Sequence, residues 1–431
     1  MSAGICIMNR NAIAMAADSA VTVGDHIAIH NSANKLFSLS RIAPVGLIIY
    51  ANSDLMNVPM EIIVKEFKKE LGDKTYSLLK DYVGRFITFI ENNSELLRFN
   101  INEKNYIDEV FFNLIRGLEL GHSSMLEENK KALNRNLSDE EIAVIASEAC
   151  QQTIDFIEGQ KKIPGFNFEE YIKENYEKHF IELFEQTEEF KWMNEEQRKT
   201  IAEASVKIFD TEFERNGYLG LAIAGYGEDE IFPGLYHLHI SGYINGKLRY
   251  WTVQESNITE TQPASITPLA QTDVMDTFLF GINDRFLNDL ANEIPKQIEE
   301  SIVKINDECF APGKKDDVKK QLNSVTGSII QHMLETAGDN YMRPIMQSVS
   351  TLPIEELALL AESMINITSI RRKVAFDKNI GTVGGPIDVA IVSKGDGFIW
   401  LKRKHYFDRQ YNPQYIYSHF GKTERSVSID E

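Results

Sequence analysis

Five residues in the first fifty-odd positions have the types and spacing for amide-bond chemistry: Ser2, Asp18, Lys35, Asn52 and Ser53. A serine hydroxyl is nearly inert at neutral pH and needs a base. Ser2 becomes the chain's first residue once Met1 is removed, and its free α-amine, with an ordinary pKa of about 7.7–8.0, can then serve as that base. Asp18 can orient the amine or a neighbouring lysine. A buried Lys35 would bias the amine towards its neutral form and stabilise negative charge. Backbone N–H groups at Asn52-Ser53 would supply an oxyanion hole. The expected reaction passes through an acyl-enzyme on Ser2, with no cofactor and no metal.

The elements that must position these residues follow from the apolar pattern. AGICIM (3 to 8) and AIAMAA (12 to 17) alternate as strands and are joined by Asn9-Arg10-Asn11, a hairpin. The small residues of the second run call for close packing against something large. Gly24-Asp25 reads as a turn, His26 to His30 as a short strand and Val45 to Tyr50 as a buried strand. Asn52-Ser53-Asp54 reads as the N-terminus of a helix from about Met56 to Leu71.

From about 75 to 215 the texture is long amphipathic helices, with no strand. Four segments carry the period: 76–93, 106–121, 138–159 and 194–214. Ser138 and Glu141 form a capping-box pattern at the third. Three strands return at Leu219 to Tyr226, Gly234 to Ser241 and Lys247 to Val253, the last two joined by Asn245-Gly246. Residues 254 to 275 read as a loop, 276–294 as a short strand followed by a helix, and more helix follows to about 375. A final hairpin, 385–394 and 397–405, is hinged at Gly395-Asp396-Gly397.

Strands in hairpins with helices between them imply an α+β fold, satisfied by a four-layer αββα sandwich with a large helical insertion. The expected organisation is a discontinuous domain of residues 1–74 and 216–405, an inserted helical subdomain at 75–215, and a polar tail at 406–431.

The chain has 431 residues, 43% of them hydrophobic, enough for a substantial core. Its 64 acidic and 45 basic residues give a net charge of -19, which disfavours nucleic acid. Cys6, Cys150 and Cys309 are widely spaced, as expected of a cytoplasmic protein. There is no apolar run long enough to span a membrane. His237 and His239 alternate on one strand, but with no third ligand evident they read as packed or solvent-facing, and His26 and His30 are read similarly.

AIAMAADSAVTVG resembles the proteasome β-subunit stretch in which a strand ends in Ala-Ala-Asp-Ser and turns through Ala-Thr-x-Gly. In that family of N-terminal-nucleophile hydrolases the catalytic threonine lies sixteen residues before this aspartate, and Ser2 lies sixteen before Asp18. The family lysine lies sixteen residues after it; Lys35 lies seventeen after. The oxyanion turn corresponds to Ala51-Asn52-Ser53, with both family glycines replaced. LGLAIAGYG…GLYHLHISG is similar to the family's central hairpin, and LPIEELALLAESMI…VGGPIDVAIVSKGDGFIWL to its last helix and final hairpin. The supporting serine would fall near Phe280 to Asn283, where none stands, and the later aspartate and serine on Ile380 and Val383, with Asp377 and Thr382 out of register.

The resemblance implies the αββα fold, hydrolysis of a peptide or small amide by Ser2, and a homo-oligomer of rings or stacks. The alternative is a catalytically inactive scaffold that binds a protein partner through its helical insert.

Overall fold

The computed structural model describes residues 3–23, 28–30, 32–214, 217–305, 314–374, 383–405, 407 and 409–414. The chain begins with β1 (Ala3–Asn9), β2 (Ala12–Ala17), β3 (Val21–Val23), β4 (Ala28–His30), β5 (Leu36–Ser38) and β6 (Val45–Ala51). A minimal ribbon, β7 (Asp54–Leu55) and β8 (Val58–Pro59), leads into α1 (Met60–Leu71). Then come α2 (Leu79–Asn92), α3 (Phe99–Leu133), α4 (Asp139–Glu158), α5 (Glu169–Gln186) and α6 (Glu195–Ser205). The strands β9 (Leu219–Gly225), β10 (Gly234–Ile244), β11 (Lys247–Asn257) and β12 (Ala264–Ala270) follow. The helices α7 (Asp273–Phe280), α8 (Asp284–Lys304), α9 (Lys315–Ala337), α10 (Arg343–Val349) and α11 (Ile354–Val374) precede the hairpin β13 (Asp388–Ser393) and β14 (Gly397–Lys402).

This is a mixed α+β fold with two main antiparallel sheets, divided into two compact units: residues 1–36 with 258–431, and residues 37–257. The first unit holds a five-stranded sheet in the order β12-β1-β2-β13-β14. Every residue of β1 and β2 is buried. One face, Ile5, Ile7, Ala12, Ala14 and Ala16, packs with Leu357, Ala361, Met364 and Ile365 of α11. The alanines leave room for that helix to lie close against the strands. Asn9 closes the hairpin turn: its Oδ1 accepts from the Asn11 and Ala12 N–H groups at 2.9 and 3.3 Å, and its amide donates to the Val349 and Leu352 carbonyls at 3.0 and 2.9 Å.

Two expectations fail in this unit. The segment read as a loop contains β12, which pairs antiparallel with β1 along its whole length. Pro268 disguises it; a proline is tolerated there because β12 is an edge strand, where an N–H can be spared. The short strand expected near residue 276 is the helix α7, stopped by Gly281 at φ 69°, a left-handed cap.

The second unit holds the sheet β11-β10-β9-β6-β5. Leu47, Ile49, Leu221, Ile223 and Ile240 form its core with Phe67 of α1 and Phe86 and Phe89 of α2. A separate cluster is built from α3 to α6, where Phe111 stacks on Phe180 with centroids 4.1 Å apart. Ser138 and Glu141 make the expected reciprocal cap at the start of α4. The helix α5 was not among the expected segments, although Phe168, Ile172, Tyr176, Phe180 and Phe184 recur every fourth residue. The Asn245-Gly246 turn has positive φ at both residues, 46° and 80°, the geometry that suits a two-residue hairpin.

The first helix starts later than its sequence indicates. Met56 and Asn57 have φ of 48° and 66°, incompatible with helix, and form the turn between β7 and β8. Met60 N–H donates to the Ser53 carbonyl at 3.0 Å, so the β7–β8 ribbon loops back onto the base of the helix.

Candidate active site

Asp18 follows the last residue of β2 and ties the start of β1 to it. Asp18 N–H donates to the Ala3 carbonyl at 3.0 Å, and Ala3 N–H donates to Asp18 Oδ1 at 2.9 Å. The other carboxylate oxygen, Oδ2, accepts from Ala20 N–H at 3.2 Å and Gly384 N–H at 3.1 Å. Lys35, just before β5, reaches Asp18 Oδ1 with its Nζ at 2.6 Å and also donates to the Ala20 carbonyl. The two side chains are 4% and 0% exposed, so this is a buried ion pair, in which loss of either partner would leave an uncompensated buried charge.

Burial pushes the Lys35 ammonium below the usual lysine range; Asp18 opposes that shift and the Lys404 charge adds to it. Lys404 is itself held by Asp388 at the head of β13, through both its N–H, at 2.9 Å, and its ammonium. The Ser19 hydroxyl donates to the Pro386 carbonyl at 2.5 Å, and Ser19 N–H to the Gly384 carbonyl at 3.1 Å. An ammonium has three protons to donate. Two of those on Lys35 are engaged among the described residues.

The structure therefore brings Asp18 and Lys35 together beside Ala3. Ser2 lies outside the described residues, as do Asp377, Ile380, Thr382, His26 and Cys309. Val383 is a core residue of the first unit. The backbone of Gly384, next to it, is the partner of Asp18 that sequence reasoning missed. Its signal was present in the Gly384-Gly385-Pro386 run, which must turn before β13, but a main-chain donor leaves no mark in residue type.

Asn52 and Ser53 belong to the second unit. Asn52 N–H donates to the Tyr218 carbonyl at 3.3 Å and its side-chain amide to the Gly217 carbonyl at 2.7 Å. The turn precedes the β7–β8 ribbon rather than a helix. The field of α1, which falls off within its first turn, is therefore not delivered at Asn52 by sequence adjacency.

In the same unit, Tyr50 bridges the two histidines of β10. Its hydroxyl lies 2.5 Å from His237 Nε2 and 2.7 Å from His239 Nε2, so it donates to one ring and accepts from the other. Burial lowers both imidazoles to about 4 and leaves them neutral. Tyr50 in turn lies over Gly220 of β9, where an added Cβ would meet its ring. Gly220→Ala is expected to destabilise the protein by about 1–3 kcal/mol through overpacking. A denaturation midpoint lowered at unchanged slope would register it.

Among the described residues no group of three or more His, Cys, Asp and Glu can hold a metal ion, and no helix is long and apolar enough to cross a membrane. The first unit is thus an α+β body carrying a buried aspartate–lysine pair at the start of its first hairpin. No protein-family model matches the chain, and no curated protein matches it at a significant level.

Proposed function

We propose that the chain is an N-terminal serine hydrolase of the proteasome-like class, acting on peptide or small amide bonds. The observation that carries this reading is the Asp18–Lys35 pair hydrogen-bonded to the N–H of Ala3, the residue that follows Ser2 in the sequence. In this reading the two antiparallel sheets are the inner layers of a four-layer αββα sandwich.

After loss of Met1, the Ser2 α-amine takes the proton of its own hydroxyl, and Oγ attacks the amide carbonyl carbon. Lys35, held by Asp18 and Ala20, directs its remaining proton to the serine oxygen and favours the neutral amine by its charge. Collapse of the tetrahedral adduct breaks the C–N bond. The leaving amine takes the proton from the α-ammonium, and an ester on Ser2 remains. Water, deprotonated by the same amine, hydrolyses that ester and regenerates the site.

Intact mass spectrometry of the untagged protein tests the reading. The expected mass lacks Met1 and rises by one equivalent of an amine- and hydroxyl-bridging electrophile such as an epoxyketone. Retention of Met1 sinks the proposal, because an amide nitrogen at position 2 is no base.

A further inference from the structure

The second unit contains two adjoining cavities that share Asn113 and Glu214. One, of about 280 Å³, is polar and is lined by Asn52, Asp54, Asn102, Glu109 and Ser241 as well as the shared pair. That volume is about nine times the ~30 Å³ share of a liquid water molecule. The other, of about 530 Å³, carries Leu114, Leu118, Phe156 and Phe213.

Glu214 is 9% exposed in its side chain, and its Oε2 has no hydrogen-bond partner among the described residues. Among the described residues its ion-pair partner is Arg249, whose Nη1 stands 3.6 Å away, beyond hydrogen-bond reach. Arg249 Nε donates to the Phe209 carbonyl at 2.9 Å; Nη1 to Tyr106 Oη at 3.0 Å and Ser241 Oγ at 2.6 Å; Nη2 to the Thr211 and Phe213 carbonyls. A guanidinium has five protons to give, and these contacts occupy them. A buried carboxylate oxygen left without a donor costs free energy that an incoming donor recovers.

Among the described residues, three carboxyl groups line the polar cavity, from Asp54, Glu109 and Glu214, and no lysine or arginine does. The field therefore selects a cation, and the apolar neighbour selects hydrocarbon attached to it. We propose that the two cavities form one site for an aliphatic primary amine, with its ammonium on Glu214 Oε2 and its chain among Leu114, Leu118, Phe156 and Phe213. This site stands independently of Ser2 and of the hydrolase reading.

The pH dependence has a defined sign. Burial pushes the Glu214 carboxyl up to about 7, Arg249 opposes the shift, the Glu109 charge adds to it and the Ser241 hydroxyl opposes it. Among the described residues Tyr106 and Tyr218 also face it, and both are held above the usual phenol range, first of all by burial. An ammonium prefers the ionised carboxylate, so affinity rises as pH increases through that value. An alkylamine, with a pKa near that of lysine, stays protonated throughout.

Calorimetric titration of the full chain with hexylammonium decides the matter. Binding is expected to be roughly tenfold tighter at pH 8 than at pH 6, and each methylene added between methylammonium and hexylammonium should strengthen it up to roughly fourfold. Glu214→Gln should abolish the pH dependence and most of the affinity. Phe156→Ala, at a half-exposed position, should weaken hexylammonium while leaving methylammonium unchanged, and it keeps the test alive if the glutamine variant fails to fold. Absence of binding at millimolar hexylammonium and pH 8 overturns the proposal. So does equal binding of 1-hexanol, or undiminished hexylammonium binding by a folded Glu214→Gln protein.

Discussion

Replacing Ser2 with alanine is expected to remove amide hydrolysis, by on the order of 10⁴–10⁶-fold in kcat, while leaving the fold in place. The loss is large because one residue supplies both the attacking oxygen and, through its α-amine, the base. The fold should survive because Ala3 N–H donates to Asp18 and residues 3–9 pair with β12, interactions of the main chain that do not depend on the side chain at position 2. Unfolding free energy should therefore stay within about 0.5 kcal/mol of wild type. A tag left attached to Ser2 should silence the enzyme as fully as the alanine does, since it converts the base into an amide. Ser2→Thr should retain activity, because hydroxyl and amine are both kept. Rates should rise with pH through the titration of the amine, ordinarily at about 7.7–8.0 and drawn lower by the Lys35 charge. Equal peptide-amide hydrolysis by tagged, Ser2→Ala and native proteins would end the mechanism; a silent native protein with Met1 removed would favour the partner-binding scaffold.

The chain's own pattern reveals much of the fold. The β1–β2 hairpin was legible from alternation, and β9 to β11 from Gly-containing turns and Asn245-Gly246, because a two-residue period leaves its trace in sequence. β12 was hidden because its pairing with β1 spans more than 250 residues and its own composition, with Pro268, argues against a strand. The start of α1 was misplaced because positive φ at Met56 and Asn57 is imposed by the β7–β8 ribbon and not by residue type. At the candidate site, Asp18 and Lys35 were readable as chemistry-bearing side chains at a telling interval. Gly384 and Ala20, which complete the environment of Asp18, act through their main chains and so are visible only once the backbone is placed. Glu214 was equally silent, since an ordinary glutamate becomes unusual only where Arg249 has given all its protons elsewhere.

Lys35→Met is expected to cost about 3–5 kcal/mol of stability. The methionine fills most of the lysine's volume, so a cavity is not the cause. What is lost is the ammonium facing a carboxylate that is 0% exposed. Asp18 keeps its backbone donors Ala3, Ala20 and Gly384, but among the described residues its charge no longer has a counter-charge in direct contact. Adding Asp18→Asn should restore part of the deficit, so that the double variant is more stable than Lys35→Met alone, whereas two unrelated defects would add. The pH dependence separates electrostatics from packing. Burial holds the folded-state lysine below its ordinary value, so between that lowered value and about 10.4 the unfolded chain binds more protons than the folded one. Wild-type stability therefore gains from Lys35 as pH rises through that window, and the Lys35→Met variant lacks the gain. The gap between the two proteins should widen with pH in denaturant titrations across the alkaline range. A constant gap, or a double variant no better than the single, would show that Lys35 contributes only bulk, and would take from the proposed site the charge that is meant to tune Ser2.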